Sequence, residues 1–367
     1  MAAEVVAPGD GGRVGLDDGC DVTSTPLRLT RAQILAFRRH AGALDERLPR
    51  GADSLRRAAW AGLQDSMPRA AQLSIHARVA GTSSSAWEDP SLVQLWGPRF
   101  SVFVVAACDL AVFSLGTLPD DAKRRQRAED TANRLDALLG GTQMPHAEAG
   151  RALGVHPNSL WYAAPTGRVL LRWDGARRPV IWMVPPPEAD PREARLELAR
   201  RHLHVYGPTT PESFGLWAGV GPRSAAAAFE ALRAALTPVR TPIGEAWILI
   251  ADEETLRAAA GPGAEAGAGP MARLLPSGDA YFLFQGADRE LLVPEAGHRS
   301  ELWPSRVWPG ALLVGGVIVG TWRRAESVVT ARPWQRLSAA QRDAVVAEAE
   351  SLPVPGIKKR IAVRWDD

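Results

Sequence analysis

Apolar positions along the chain change period several times, and each change falls at turn-forming residues. After Thr30, a residue type that caps helix N-termini, Ile34, Leu35, Phe37 and Ala41 recur at helical spacing. Asp53 is placed to cap a second helix running to about Gly62, and Pro68 suits the first turn of a third over 69–79. Apolar runs at 93–96 and 100–106 then meet at Gly97-Pro98 and predict paired strands. A charged helix over 121–139 follows.

The same grammar returns twice. In the second segment, helices are predicted over 147–153, stopped by Gly154, and from Pro157 or Asn158 to Ala164. Strands at 168–173 and 179–184 flank Asp174-Gly175, a strong hairpin dipeptide, and Pro185-Pro186-Pro187 closes the segment. The third opens at Asp190-Pro191, with Leu196, Ala199, Leu203 and Tyr206 at helical spacing. Helices at 211–218 and from 222 to about 236 enclose the turn Gly219-Val220-Gly221, and a hairpin joins 239–240 to 247–249 around Gly244. Beyond a Gly/Ala/Pro-rich stretch come short β-rich runs at 281–284, 291–293, 312–314, 317–321 and 328–331. Gly315-Gly316 makes a hairpin turn there, and a helix over 338–351 and a strand near 361–363 end the pattern.

Helix, short turn, helix and hairpin form the winged-helix plan. The expected class is therefore α+β, with three tandem winged-helix (helix-turn-helix plus β-hairpin) domains followed by a small C-terminal β-barrel. The expected divisions are a disordered leader at 1–26, winged helices at 27–140, 141–187 and 188–257, a linker at 258–270 and the barrel at 271–367.

Composition narrows the function by exclusion. With 46% hydrophobic and 23% charged residues, the 367-residue chain is not disordered in bulk, and a net charge of +2 selects no partner. Only Lys123, Lys358 and Lys359 are lysines among 43 basic residues, so arginine supplies nearly all positive charge. That bias fits GC-rich coding or phosphate recognition, and position has to decide between them. Cys20 and Cys108 alone cannot build a disulfide framework or a cysteine zinc site. His202 and His204 lie two apart on a helix and face different ways, and HExxH is absent, so no metal is expected. Nucleophile-elbow, P-loop and dinucleotide fingerprints are also missing, so no cofactor is expected either. No basic start leads into an apolar run, and the apolar stretches at 102–107 and 311–319 are too short for a bilayer. A soluble cytoplasmic protein is expected.

Two basic clusters compete as nucleic-acid contacts. Arg168, Arg172, Arg177 and Arg178 crowd the second hairpin against Asp174 alone; such a wing tip suits phosphates, or is a solvated hairpin in an arginine-rich chain. Lys123, Arg124, Arg125 and Arg127 stand beside Asp120, Asp121, Glu129 and Asp130 and read as a solvated face.

Periodicity leaves unexplained the polar run Gly62-Leu63-Gln64-Asp65-Ser66-Met67-Pro68-Arg69-Ala70-Ala71, followed by His76-Ala77-Arg78. This run resembles the first winged helix of the AlkZ/YcaQ-like DNA glycosylases. Leu95-Trp96-Gly97-Pro98-Arg99, Arg273-Leu274-Leu275-Pro276-Ser277-Gly278-Asp279 and Gly320-Thr321-Trp322-Arg323-Arg324 agree with it, so the resemblance covers about 27–335. It implies three winged helices and a β-barrel around a C-shaped cleft for duplex DNA. It also implies excision of alkylated or bulky N7-modified purines, interstrand crosslinks included. The family's Gln–apolar–Gln/Asp motif falls on Gln64, Asp65 and Ser66, matching at the first position only.

The chemistry asked of those residues is modest. An N7-alkylated purine is cationic and departs readily, leaving the protein to place a water and stabilise an oxocarbenium-like sugar. Gln64 would orient the water, Asp65 would act as base or electrostatic partner, and Ser66 would be a weaker ligand. Alternatively, Asp65 or Ser66 simply caps the next helix. No lysine lies at the motif, which disfavours a Schiff-base mechanism. Arg69, His76 and Arg78 join the four wing arginines as expected DNA contacts. The reading is a monofunctional DNA glycosylase, monomeric and nucleoid-associated, with double-stranded DNA as partner. Its rival is a non-catalytic winged-helix DNA-binding protein or transcriptional regulator.

Overall fold

Four small sheets, each flanked by helices, make up an α+β chain in the computed structural model, which describes residues 27–65, 67, 69–175, 178–259, 270–356 and 359–366. The expected leader, most of the linker, Ser66 and Arg177 lie outside the described residues.

Three of the sheets have three strands. In the first, Leu63–Gln64 and Leu92–Trp96 lie antiparallel on either side of Val102–Ala106. In the second, Met144–Pro145 and Val169–Arg172 flank Val180–Met183. The third joins the hairpin Leu236–Thr241 and Gly244–Leu249 to the distant Leu27–Arg28, which pairs parallel to the first of them. Helix signals were largely realised. Thr30 caps Arg31–Ala41 through a capping box, and Asp121 and Asp190 cap Ala122–Leu139 and Pro191–Tyr206. Asp53 does not cap its helix; Ala52–Ala58 begins after Gly51 and Asp53 sits inside the first turn, where it still favours the helix dipole.

The C-terminal region departs most from expectation. Its strands Ala272–Leu275, Gly310–Val314, Val317–Ala325, Val328–Pro333 and Ala362–Trp365 form one open sheet whose outer strands do not pair with each other. Helix Ala339–Glu350 covers that sheet, with Val345 and Ala349 buried among Leu274, Leu312 and Val329. A packed helix thus does what barrel closure would otherwise do for the apolar face. The runs expected as strands at 281–284 and 291–293 are instead the 3₁₀ turn Ala280–Phe282 and the helix Asp288–Leu292. The apolar runs 281–284 and 291–293 themselves are buried throughout, and a short, wholly apolar run carries no period to separate strand from helix.

The helix Arg31–Ala41 staples remote segments together. Arg31 donates to the carbonyls of Leu291 (2.6 Å) and Leu292 (3.0 Å). Arg38, 1% exposed, donates to the carbonyls of Gly207 and Pro208 and to Asp288, each at 3.1 Å. Arg39 reaches Asp45 and the carbonyl of Gly316.

Candidate active site

The polar motif begins at a close approach of backbone to aromatic core. Gly62 has φ +72°, and a Cβ there would stand 2.9 Å from both Phe103 and Phe113. The chain then enters the two-residue strand, Leu63 turning into the core and Gln64 to the opposite, half-buried side. The Asp65 N–H donates to the Val102 carbonyl at 2.7 Å and holds the strand end in register.

Gln64 is held from two directions. Arg99 Nη2 donates to its Oε1 at 3.4 Å, and its amide lies against Gly278, whose φ is +76° and where a Cβ would come 3.3 Å from Nε2. Arg99 also donates to the carbonyls of Trp217 (3.0 Å) and Leu216 (3.4 Å), the C-terminal end of the helix Pro211–Ala218, whose dipole favours a cation there. Burial lowers the Arg99 pKa, and no carboxylate pairs with it among the described residues. Arg69, Arg99 and Phe100 all have left-handed backbone, at φ +66°, +54° and +58°. Strain of that kind persists where the surroundings over-determine it, as at functional sites.

Asp65 is 4% exposed and points inward. Its Oδ1 accepts the Ala71 N–H at 3.0 Å in the first turn of the helix Ala70–Arg78, and its Oδ2 accepts Gln94 Nε2 at 2.6 Å. Burial pushes its pKa up to about 6, against those hydrogen bonds, which favour the anion. Asp65 thus satisfies one first-turn N–H from outside the N-cap position, which Arg69 holds without a side-chain bond, and its carboxylate is turned from solvent.

The remaining expected site residues separate by burial. Arg78, expected on the DNA surface, is 2% exposed and forms a two-pronged pair with Asp279 (2.7 and 2.8 Å). Burial alone would raise the Asp279 pKa; the Arg78 charge and bonds from Arg78, Ser74 and the Tyr281 N–H outweigh it and hold the group low. His76 is also inside, between Thr82 (3.0 Å) and Ser351 (3.1 Å), and burial together with Arg47 and Arg273 lowers its pKa to about 4. Neither side chain can meet a phosphate without leaving these partners. Arg168 is tied to Asn133 (2.7 Å) and Asp136 (2.9 Å), and Arg172, more exposed, to Glu88. Arg178 is exposed and Arg69 half-exposed.

Sequence reasoning gave no role to Arg99, Gln94, Gly278 or Asp279, although three of them stand in the runs quoted above. Gln94 carries no local signal, because only sheet pairing brings it beside Asp65. Among the described residues, no group of three or more His, Cys, Asp or Glu could hold a metal, and no helix is long and apolar enough to cross a membrane.

The arrangement of helices and small sheets around this site has a counterpart among DNA repair proteins. The family model for DNA glycosylase AlkZ-like proteins matches residues 55–353, and the chain belongs to that family. Among solved structures, the DNA glycosylase AlkZ of Streptomyces sahachiroi is similar, with a TM-score of 0.74 at 19% identity, covering 92% of this chain and 100% of that one. At such identity the likeness concerns the fold. No curated protein matches.

Proposed function

We propose that the protein grips duplex DNA as a monomer on the nucleoid, using its three helix-and-sheet segments as winged helices. It then hydrolyses the N-glycosidic bond of an N7-alkylated or otherwise bulky purine. The observation that carries this reading is Gln64: at the family's motif position, its amide is fixed by Arg99 and Gly278 while remaining half-exposed. A fixed amide can hold a water against the sugar. As the C1′–N9 bond breaks, its electrons neutralise the cationic base; the water oxygen bonds C1′ and its proton passes to solvent. Asp65 does not touch the sugar in this scheme. Ionised above about pH 6, it sets negative charge beneath the developing cation and fixes the segment that carries Gln64. Ser66 would be a second ligand of the water. Arg69, Arg172, Arg177 and Arg178 would meet phosphates, while His76, Arg78 and Arg168 support the surface from within.

The commitment of both Asp65 oxygens to Ala71 and Gln94 is the observation that favours the rival, a DNA binder without catalysis. Single-turnover release of 7-methylguanine and of a bulkier N7-guanine adduct from duplex DNA separates the two. Gln64→Ala is expected to lower release by about 10²-fold or more, with duplex affinity within about twofold of wild type. Salt-sensitive duplex binding by wild type without release of either base would establish the rival instead.

A further inference from the structure

Next to Gln64, on the other side of Arg99, lies a second basic feature that the proposed chemistry does not use. The 3₁₀ turn Pro98–Phe100, the helix Ala122–Leu139 and the turn Pro157–Thr166 surround a pocket of about 340 Å³. Arg99, Arg124 and Arg127 line it with Phe100 and Tyr162, and no carboxylate is among its lining residues.

From sequence, the acidic neighbours of Arg124 and Arg127 should neutralise them. In the structure none of them forms an ion pair with either guanidinium among the described residues, although Asp121 and Asp130 line the adjoining cavity with them. Asp120 takes Arg195 (2.7 and 2.8 Å) and Ser224; Asp121 caps the helix through the Arg124 backbone N–H (2.8 Å). Asp130 takes the Gln126 amide (2.8 Å), and Glu129 lies 4.0 Å from Arg168. Arg124 and Arg127 are exposed and form no ion pair among the described residues.

The aromatic side chains hold one of these cations ready. Arg127 lies 3.5 Å over the centroid of Tyr162, Tyr162 meets Phe100 edge-on at 5.5 Å, and Phe100 stacks on Trp161 at 5.7 Å with planes 12° apart. Stacking occupies the flat face of a guanidinium and leaves the N–H donors at its edge for an anion. Arg99 is the third wall, and the same guanidinium contacts Gln64.

We propose that this pocket is a phosphate subsite and that it holds a backbone phosphodiester of the strand carrying the target nucleotide. The assignment rests on the DNA-binding reading above. It places a phosphate one guanidinium away from the amide that orients water, so that engaging the strand also braces Gln64.

The test is a salt titration of binding to unmodified duplex DNA by the full chain, as wild type, Arg124→Gln, Arg127→Gln and the double variant. Arg257→Gln, whose arginine is paired with Glu253, serves as control. A held phosphate contributes about 0.9 to the slope of log affinity against log salt, so the double variant should lose roughly 1 from the slope, at equal thermal stability and whatever the duplex sequence. The control should keep the wild-type slope. An unchanged slope in the double variant, with wild-type binding still salt-sensitive, overturns the subsite and leaves the DNA reading standing. Absence of salt-sensitive binding by wild type overturns the DNA reading itself. Inorganic phosphate is added in a further arm at constant ionic strength: it should weaken duplex binding by wild type more than by the double variant, because both phosphates compete for the pocket, and equal weakening of the two overturns the backbone assignment.

Discussion

Asp65 is pulled in opposite directions by its surroundings: two donors stabilise its charge while burial opposes it, and burial prevails, with a pKa of about 6. The sign of the consequence follows from proton binding. Between the ordinary carboxylate value of 3.8 and about 6, the native state keeps a proton that the unfolded state has released. The stabilisation from Asp65 is then full at low pH and is lost as pH rises through 6. Carried to neutral pH, that difference corresponds to about 3 kcal/mol. Asp65→Ala removes that penalty but strands the Ala71 N–H and one bond of Gln94, at about 1–3 kcal/mol. The variant should be most destabilised at the acid end of a pH 5 to 7.5 series of urea unfolding curves, and near or above wild-type stability at pH 7.5. A gap independent of pH would show that Asp65 is not held protonated. Residue type alone made a bond from Asp65 to the start of the next helix readable, since Asp before a helix commonly accepts its free N–H groups. Gln94 was not readable, because it reaches the carboxylate only through the register of Leu92–Trp96 on Val102–Ala106.

At the scale of elements, the helix Ala70–Arg78 is buried along its entire length, including Gln72, Ser74, His76 and Arg78. His76 and Arg78 were expected as DNA contacts if this helix faced the cleft that the family resemblance implies, and the helix is instead inside. Their partners Ser351 and Asp279 lie far along the chain, beyond the reach of any local pattern. The hairpins, by contrast, were legible from turn residues such as Asp174-Gly175 and Gly315-Gly316, because turn chemistry is local. The Arg78–Asp279 pair ties this helix to the loop that backs Gln64. Arg78→Met should cost about 3–5 kcal/mol, since it leaves Asp279 charged and buried without its counter-ion. Adding Asp279→Leu should recover part of that loss in a denaturant double-mutant cycle; strictly additive losses would deny the coupling. Gly278→Ala bears on the site directly. Its left-handed backbone adds about 1–2 kcal/mol of strain, and the new methyl presses on the Gln64 amide. Base release should fall further than duplex affinity, and equal losses would remove Gly278 from the positioning of Gln64.

Across the whole molecule, the segments read from sequence as successive units share their cores. The helix Ala122–Leu139, counted with the first unit, buries Ala132, Leu135 and Leu139 with Leu160, Val169 and Ile181 of the second. Leu27–Arg28 pairs with Val239 and Arg240, and one apolar cluster contains Leu35, Phe113, Leu170, Phe214, Phe282 and Leu313. Such pairings join residues hundreds of positions apart, so periodicity could give the elements and their order but not this interlocking. Shared cores predict shared unfolding. Near-UV circular dichroism, reporting the many tryptophans, and far-UV circular dichroism, reporting helices, should trace one coincident denaturation curve despite the length of the chain. Arg38 offers the sharpest test, because it joins the Gly207 and Pro208 carbonyls to Asp288 from a helix near the start of the described chain. Arg38→Met leaves those carbonyls and Asp288 poorly satisfied and should cost about 3–5 kcal/mol. If the molecule is one cooperative unit, that loss moves both spectroscopic transitions by the same amount. If the segments unfold independently, only the part of the signal belonging to the helix and its neighbours will move, and the two curves will separate.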